Sequence, residues 1–143
     1  MIVLDANLLL YSIDSTSRRH SAARTWLQDV LRGPELIGLP WQVVGAFLRL
    51  STNSRIFTNC LSMEEAIGIA QQWIDSPNVR LLVPGEQHWS LLQRMLIGGN
   101  VRGPLTTDAQ LAALTIECGG VLHSTDRAFA RFPGLRWVNP LEA

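Results

Sequence analysis

Lysine is absent from this chain of 143 residues, in which all 12 basic residues are arginine. The absence excludes enzymes that hold a nucleotide phosphate with a Walker-loop lysine, and it excludes enzymes that form a Schiff base through lysine. Arginine side chains remain available, and their planar guanidinium groups suit phosphate and carboxylate partners. Chemistry on a phosphate-containing substrate would therefore depend on arginine, acidic and polar side chains.

Cysteine and net charge are also scarce. The two cysteines, Cys60 and Cys118, lie far apart and form no C-x-x-C pair, so the sequence predicts neither a disulfide framework nor a zinc knuckle. We expect both to be buried free thiols. The 12 basic and 12 acidic residues give a net charge of zero. No overall field attracts nucleic acid, and a polyanionic partner needs a local binding site.

Long apolar segments and targeting signals are missing as well. No apolar run approaches the about 20 residues of a membrane span, and the N-terminus lacks the basic segment and cleavage site of a secretory peptide. A chain of this length that is 47% hydrophobic fits one compact domain with a single core. We therefore expect one domain over residues 1–143, no membrane contact and a cytoplasmic location.

Strand-like and helix-like segments alternate along the chain, without repeats or low-complexity tracts. A capping box of Ser62 and Glu65, for example, marks the start of one helix. Alternation of this kind indicates crossover units and an α/β fold with a mostly parallel central sheet flanked by helices, in which ligands bind beyond the carboxyl ends of the strands. Strands are predicted at 2–5, 36–39, 79–83, 121–123 and 135–138, and helices at 7–13, 20–32, after 40, 63–74, 87–97, 107–118 and 126–132.

Three aspartates occupy positions at the predicted ligand-binding edge of this sheet. Asp5 ends the first predicted strand, Asp126 follows the strand 121–123, and Asp108 opens a helix after Thr107. Each acid taken singly is explained as a helix cap, because a carboxylate in the first turn stabilises a helix by about 0.3 to 1 kcal/mol. If the strand predictions hold, however, all three carboxylates converge.

Convergence changes the interpretation, because two unit charges about 4 Å apart repel each other by about 4 kcal/mol at an effective dielectric constant of about 20. This repulsion exceeds the gain from a cap, so the cluster must take up a proton or a divalent cation. Oxygen ligands favour Mg²⁺ or Mn²⁺ over zinc. Such an ion suits phosphodiester hydrolysis by an activated water, with 5′-phosphate and 3′-hydroxyl products. The three histidines show no zinc-binding spacing: His20, His88 and His123.

The segments "VLDAN", "TTDAQLAAL" and "HSTDRAFARFPGL" occur in this order along the alternating chain. Together they resemble the PIN-domain ribonucleases, specifically the VapC-type toxins of toxin–antitoxin pairs, over nearly the entire sequence. The resemblance implies a single PIN-like domain in which Asp5, Asp108 and Asp126 hold Mg²⁺ or Mn²⁺ and are needed for RNA cleavage. It also implies a homodimer and inhibition by a VapB-type antitoxin protein, whose C-terminal segment enters the acidic groove, often with an arginine.

Two polar residues and one apolar residue complete the comparison with that family. Asn7 matches the polar position after the first acid, and Thr125 matches the hydroxyl position before the last acid, so both are predicted as supporting residues. Many PIN domains carry a glutamate in the helix after the second strand, where this chain has Ala46. The loss of one anionic ligand predicts a one-metal site or a lower metal affinity.

Other functions stay open on the sequence alone. A Mg²⁺-dependent phosphatase of the haloacid-dehalogenase type also has an aspartate at a strand end. That class normally has a second aspartate two residues later, where this chain has Asn7, and a downstream lysine. The same lack of paired acids and of lysine disfavours a receiver domain. The remaining alternative is a non-catalytic PIN-like module that binds RNA or an antitoxin, with Ala46 as a sign of lost activity.

Arginine and tryptophan residues offer weaker signals for RNA contact. Arg102, Arg127 and Arg131 lie in segments next to the acids, where they either bind RNA phosphates or are merely exposed. The five tryptophans fall mostly on apolar helical faces. We interpret the tryptophans as core or dimer contacts rather than as platforms for base stacking.

Overall fold

The computed structural model describes residues 1–142, so Ala143, the last residue of the predicted domain, lies outside it. Within these residues a single sheet has the strand order β3-β2-β1-β4-β5, and each neighbouring pair is parallel. The prediction of an α/β fold with a mostly parallel sheet is therefore confirmed. The strands are β1 (Ile2–Leu4), β2 (Ile37–Pro40), β3 (Val79–Leu82), β4 (Val121–His123) and β5 (Trp137–Val138).

Helices connect the strands and cover the sheet, as predicted from the apolar spacing. The segment predicted as a short helix after Asp126 is a 3₁₀ helix, Arg127–Arg131. The predicted last strand is shorter than expected, because it begins at Trp137 rather than at Leu135. The helices are α1 (Ala6–Ile13), α2 (His20–Arg32), α3 (Trp41–Ser51), α4 (Met63–Ile74), α5 (His88–Gly98) and α6 (Leu105–Glu117).

The core lies where the helices meet the two faces of the sheet, and the central strand β1 is buried along its whole length. A strand covered on both faces is expected to be uniformly apolar, which explains the run Ile2 to Leu4. Phe47 of α3 and Trp73 of α4 pack edge to face, with ring centroids 4.7 Å apart. Each such aromatic pair contributes about 0.5–1.5 kcal/mol beyond the burial of its surface.

Two helix ends show why the local sequence predicts their boundaries well. The hydroxyl of Ser62 accepts a hydrogen bond from the backbone of Glu65, and the Glu65 carboxylate accepts one from the backbone of Ser62. At the end of α6, Gly119 adopts a left-handed φ of +71°, and the amide of Gly120 donates to the carbonyl of Thr115. This Schellman motif ends α6 and turns the chain directly into β4.

The structure also bears on the predicted burial of the cysteines and on the predicted absence of a membrane span. Within residues 1–142 both Cys60 and Cys118 are free thiols, as expected, but they are half-buried rather than buried. None of the helices that the structure describes is both long enough and apolar enough to cross a membrane.

The sheet order has one direct consequence for the site. Strands β1 and β4 are neighbours, with Leu4 paired to His123, so the residues that follow these two strands emerge side by side. The chain segments that carry Asp5 and Asp126 therefore meet at one edge, although they are more than a hundred residues apart in sequence.

Candidate active site

Asp5 lies at the junction between β1 and α1 and is held there by three hydrogen bonds. Its backbone amide donates to the carbonyl of His123 over 3.2 Å, which continues the β1–β4 pairing. Its carboxylate accepts a hydrogen bond from the amide of Ala6 at 2.7 Å and one from the hydroxyl of Ser124 at 2.6 Å. The side chain is therefore oriented by both the helix it caps and the neighbouring strand.

Ser124 is the residue that joins the components of this site. Its side chain is fully buried, and its oxygen accepts hydrogen bonds from the side-chain amide of Asn7 and from the backbone amide of Asp126, both at 3.1 Å. The hydroxyl proton is donated to Asp5, so the three bonds satisfy the group. Ser124 thus fixes the position of Asp5, Asn7 and Asp126 relative to one another.

Sequence reasoning selected Thr125 as the hydroxyl residue and missed Ser124. The Thr125 hydroxyl forms no hydrogen bond within the part of the chain that the structure describes, so its supporting role stays a prediction. The register offers the signal that was missed: because Leu4 pairs with His123, the residue after each of them must be a neighbour of the other. This places Ser124 beside Asp5.

Asp126 and Asp108 approach the same edge from different elements. Asp126 is exposed and caps the 3₁₀ helix, since its carboxylate accepts a hydrogen bond from the amide of Ala128 at 2.9 Å. Asp108 lies in the first turn of α6 and is half-buried. The carbonyl of Thr107 accepts a hydrogen bond at 3.3 Å from the side chain of Gln42, which ties the start of α6 to the start of α3.

The charges of the three aspartates act on one another. Burial raises the pKa of Asp5, hydrogen bonds from Ser124 and Ala6 oppose the rise, and the charge of Asp126 adds to it. Burial, followed by the charges of Asp126 and Asp5, raises the pKa of Asp108 to about 6. The three carboxylates therefore interact electrostatically, and their convergence on one metal ion stays a prediction.

The described residues contain no group of three or more His, Cys, Asp or Glu side chains already arranged to hold a metal ion. Two features account for the lack of a preformed ligand group in this part of the chain. The carboxylates repel each other, and Asp5 and Asp126 each direct one oxygen toward a backbone amide. Mg²⁺ commonly keeps several waters and needs only one or two carboxylates from the protein, so a closed cage is not required.

The available donor atoms fit a hard divalent cation. Those of Asp5, Asp108 and Asp126 are all oxygens. The amide oxygen of Asn7 is buried and accepts no hydrogen bond from residues 1–142, whereas its amide nitrogen donates to Ser124. A buried acceptor without a partner costs about 1–3 kcal/mol, which a bound ligand or water relieves. This set suits Mg²⁺ or Mn²⁺ and does not suit zinc.

Other structural roles account for three further residues, His123, Ala46 and Asp14. His123 stacks on Trp26 of α2 with ring centroids 5.6 Å apart, and burial lowers its pKa, so it belongs to the packing of the sheet. Ala46 is half-buried in α3, packs against the core and supplies no ligand. Asp14 ends α1, where its carboxylate accepts hydrogen bonds from the amide and hydroxyl of Thr16.

The three candidate arginines differ in their surroundings. Arg131 is exposed at the end of the 3₁₀ helix, and its positive charge opposes the rise in the pKa of Asp108. Arg127 forms an exposed ion pair with Glu142 at 3.0 Å. Arg102 lies exposed in the connection that precedes α6. Of these three arginines, only Arg131 affects the pKa of Asp108.

The acidic edge, where Asp126 is exposed, is distinct from a large cleft elsewhere in the molecule. A cleft of about 600 Å³ lies between α1, α2 and α4, with His20, Arg24 and Trp73 among its lining residues. Asp5, Asp108 and Asp126 do not line this cleft. An open acidic edge can receive an extended polymer, because it does not have to enclose its substrate.

Two solved structures share this fold over nearly their whole length. VapBC2 from Rickettsia felis, bound to a DNA fragment from its promoter, has a TM-score of 0.71 at 14% identity and covers 97% of this chain and 98% of that chain. VapC20 from Mycobacterium tuberculosis, a sarcin-ricin loop cleaving toxin, has a TM-score of 0.68 at 18% identity over 95% of this chain and 99% of that chain. The fold is therefore that of the VapC-type PIN domains.

Sequence relatives define the family more closely. Ribonuclease VapC33 of Mycobacterium tuberculosis is 39% identical over 141 residues, which are 99% of this chain and 99% of the relative. Ribonuclease VapC37 of the same organism is 37% identical over 140 residues, which are 98% of this chain and 97% of the relative. No family model matches the sequence. Similarity of this extent shows that the chain belongs to the VapC ribonuclease family.

Replacing Ser124 by alanine tests the hydrogen-bond network. The variant leaves Asp5, Asn7 and the amide of Asp126 without their shared partner, so we expect a loss of about 1–3 kcal/mol in the free energy of unfolding, measured by urea denaturation. The control is Thr125→Ala, which we expect to change stability by no more than about 0.5 kcal/mol. Equal losses for the two variants would contradict the role assigned to Ser124.

The raised pKa of Asp108 predicts a pH dependence of stability. Its folded pKa of about 6 lies above the ordinary value of 3.8, so its contribution is complete below pH 3.8 and is lost as pH rises through 6. In chelator-treated protein, we expect wild type to lose stability relative to Asp108→Asn over this range. The measurement is the difference in urea unfolding between the two proteins, and a difference independent of pH would contradict the raised pKa.

Proposed function

We propose that this protein is a metal-dependent endoribonuclease and acts as the toxin of a VapBC-type toxin–antitoxin pair. The observation that carries the proposal is the network in which Ser124 joins Asp5 and Asp126, with Asp108 within electrostatic reach of both. Membership of the VapC ribonuclease family supports RNA as the substrate. The proposed cofactor is Mg²⁺ or Mn²⁺, which the oxygen-only donor set favours.

In the proposed reaction the protein positions a phosphodiester over the acidic edge. When bound, a divalent ion supplies an activated water and neutralises charge on the reacting phosphate. Asp5, Asp108 and Asp126 would hold that ion, and Ser124 orients the Asp5 carboxylate by donating a hydrogen bond, which opposes the rise in its pKa caused by burial. Water attack cleaves the bond to the leaving 3′-oxygen, which takes up a proton and departs as a 3′-hydroxyl, and the phosphate remains on the 5′ end.

The partners follow from the family and from the charge of the site. VapBC2 of Rickettsia felis is a complex of toxin and antitoxin, which supports a VapB-type antitoxin as the protein partner of this chain. An arginine from such a partner would compensate the acidic edge without a metal ion. We further propose that the toxin is a homodimer, and that it acts in the cytoplasm, where RNA substrates are found.

A second candidate function is a PIN-like module that binds RNA or the antitoxin without cutting. Two observations favour it: the alanine at position 46, and the lack of a preformed three-ligand group within residues 1–142. Against it stands the retention of all three aspartates, of which Asp5 and Asp126 share the Ser124 network and Asp108 interacts with both through its charge. The phosphatase alternative is weaker, because Asn7 lies where that class has an acid, and the chain has no lysine.

The cleavage assay separates these functions. Purified protein is incubated with tRNA and other structured RNAs in the presence of Mg²⁺, Mn²⁺ or chelator, and cleavage is followed on denaturing gels. We expect cutting only with metal, and a loss of about 100-fold or more in Asp5→Asn and Asp126→Asn, since metal ions contribute several kcal/mol to such reactions. The control Asp29→Asn changes an exposed acid on α2 and should keep full activity.

Two outcomes of this assay would count against the nuclease. Binding without cutting under every metal condition supports the non-catalytic module. Products that end in a 2′,3′-cyclic phosphate, detected by mass spectrometry, would exclude attack by water and with it the proposed use of the three carboxylates.

Arg131 is expected to bind an RNA phosphate next to the acids. Arg131→Ala should weaken RNA binding and reduce the salt dependence by about one unit of the logarithmic slope, as the loss of one phosphate contact requires. The control is Arg127→Ala, because Arg127 is paired with Glu142 and should change binding less. Fluorescence anisotropy over a range of salt concentrations measures both, and equal slopes for the two variants would contradict the assignment.

A further inference from the structure

Trp41 is the first residue of α3 and directly follows β2. Strand β2 is the neighbour of β1, and their register pairs Val3 with Gly38, so continuing the register places Asp5 opposite Pro40. Trp41 therefore emerges at the same edge of the sheet as the acids. It lies on the β2 side of Asp5, whereas Asp126 follows β4 on the other side.

A hydrogen bond ties this turn of α3 to the third acid. Gln42, the residue after Trp41, donates from its side chain to the carbonyl of Thr107, which directly precedes Asp108. The first turns of α3 and α6 are thus in contact. The sheet register and this contact both place Trp41 at the edge of the sheet that carries the acids.

The environment of Trp41 differs from that of the tryptophans that serve the core. Its residue surface is 51% exposed, whereas Trp73 is 8% exposed and packs on Phe47. Trp26 stacks on His123. Within residues 1–142 the indole of Trp41 has no aromatic or cationic stacking partner. A large exposed π-face beside a site for a phosphodiester matches the way proteins bind unstacked bases of single-stranded RNA.

We propose that Trp41 stacks on a base of single-stranded RNA next to the phosphate held at the acidic edge. The inference rests on the proposed function and adds to it the path that the RNA strand takes across the site. The strand order places Trp41 on one side of Asp5 and the 3₁₀ helix with Arg131 on the other. An RNA strand would therefore cross the carboxyl edge of the sheet, with a base on Trp41 and a backbone phosphate near Arg131.

The expected effect follows from the strength of base stacking. Loss of an aromatic platform costs about 1–3 kcal/mol per base, which corresponds to a loss of about 5- to 150-fold in affinity. Because stacking tolerates any base sequence, the probe is an unstructured RNA of mixed sequence and about 12 nucleotides. Binding is measured by fluorescence anisotropy with the Asp5→Asn protein, which prevents cleavage during the titration.

Three substitutions are then added to that protein. Trp41→Phe keeps an aromatic face and should retain most of the affinity. Trp41→Leu keeps apolar volume without a π-face and should lose it, which separates stacking from packing. The matched control is Trp89→Ala, because Trp89 is 67% exposed but lies near the opposite end of α6, where Gln87 donates to Glu117.

The outcomes distinguish this inference from the proposed function. If the Asp5→Asn parent binds RNA and the added Trp41→Leu substitution leaves that affinity unchanged, the stacking is overturned and the nuclease proposal stays intact. If the parent binds no RNA, and the wild type neither binds nor cuts it, both the stacking and the nuclease proposal are overturned. Sedimentation equilibrium of Trp41→Leu gives a third outcome. If the variant no longer self-associates as the parent does, the indole serves contact between copies of the chain, and the stacking is overturned.

Discussion

The site depends on the parallel pairing of β1 with β4, which is completed by the hydroxyl of Ser124. This buried group donates to Asp5 and accepts from Asn7 and from the backbone of Asp126. A single oxygen with all its hydrogen bonds satisfied thereby holds two acids whose mutual repulsion would otherwise separate them. The carboxylates keep their places because the backbone amides and the Ser124 hydroxyl compensate part of the charge before any ligand is present.

The electrostatics of the molecule are local rather than global. A chain with no net charge concentrates three carboxylates at one edge, where burial and mutual repulsion raise the pKa of Asp108 to about 6. Such an arrangement favours any cation that can be shared among the three, whether a divalent ion or the guanidinium of a protein partner. Catalysis and inhibition by an antitoxin would then compete for the same negative potential, which is a simple basis for regulation.

The two ends of the sheet serve different purposes. At the carboxyl edge, the segments that carry Asp5 and Asp126 follow neighbouring strands, and Trp41 and Arg131 are exposed rather than part of the core. Toward the far end of α6, Glu117 instead accepts hydrogen bonds from the amides of Gly85 and Gln87, a contact that holds the start of α5 in place. The candidate site and this stabilising contact thus lie at opposite ends of α6, and ligands of α/β folds usually bind at the carboxyl edge of the sheet.

The sequence by itself determined the α/β class, the helix with its capping box at Ser62 and Glu65, and the positions of Asp5, Asp108 and Asp126 at the starts of helices, because these depend on apolar periodicity and short-range hydrogen bonds. It also indicated the family through three short segments. Only the tertiary structure decided that Ser124 rather than Thr125 links Asp5 to Asp126, that Arg127 is paired while Arg131 affects the pKa of Asp108, and that Trp41 is exposed. These facts follow from strand register and from contacts between residues up to 119 positions apart, which no local pattern encodes.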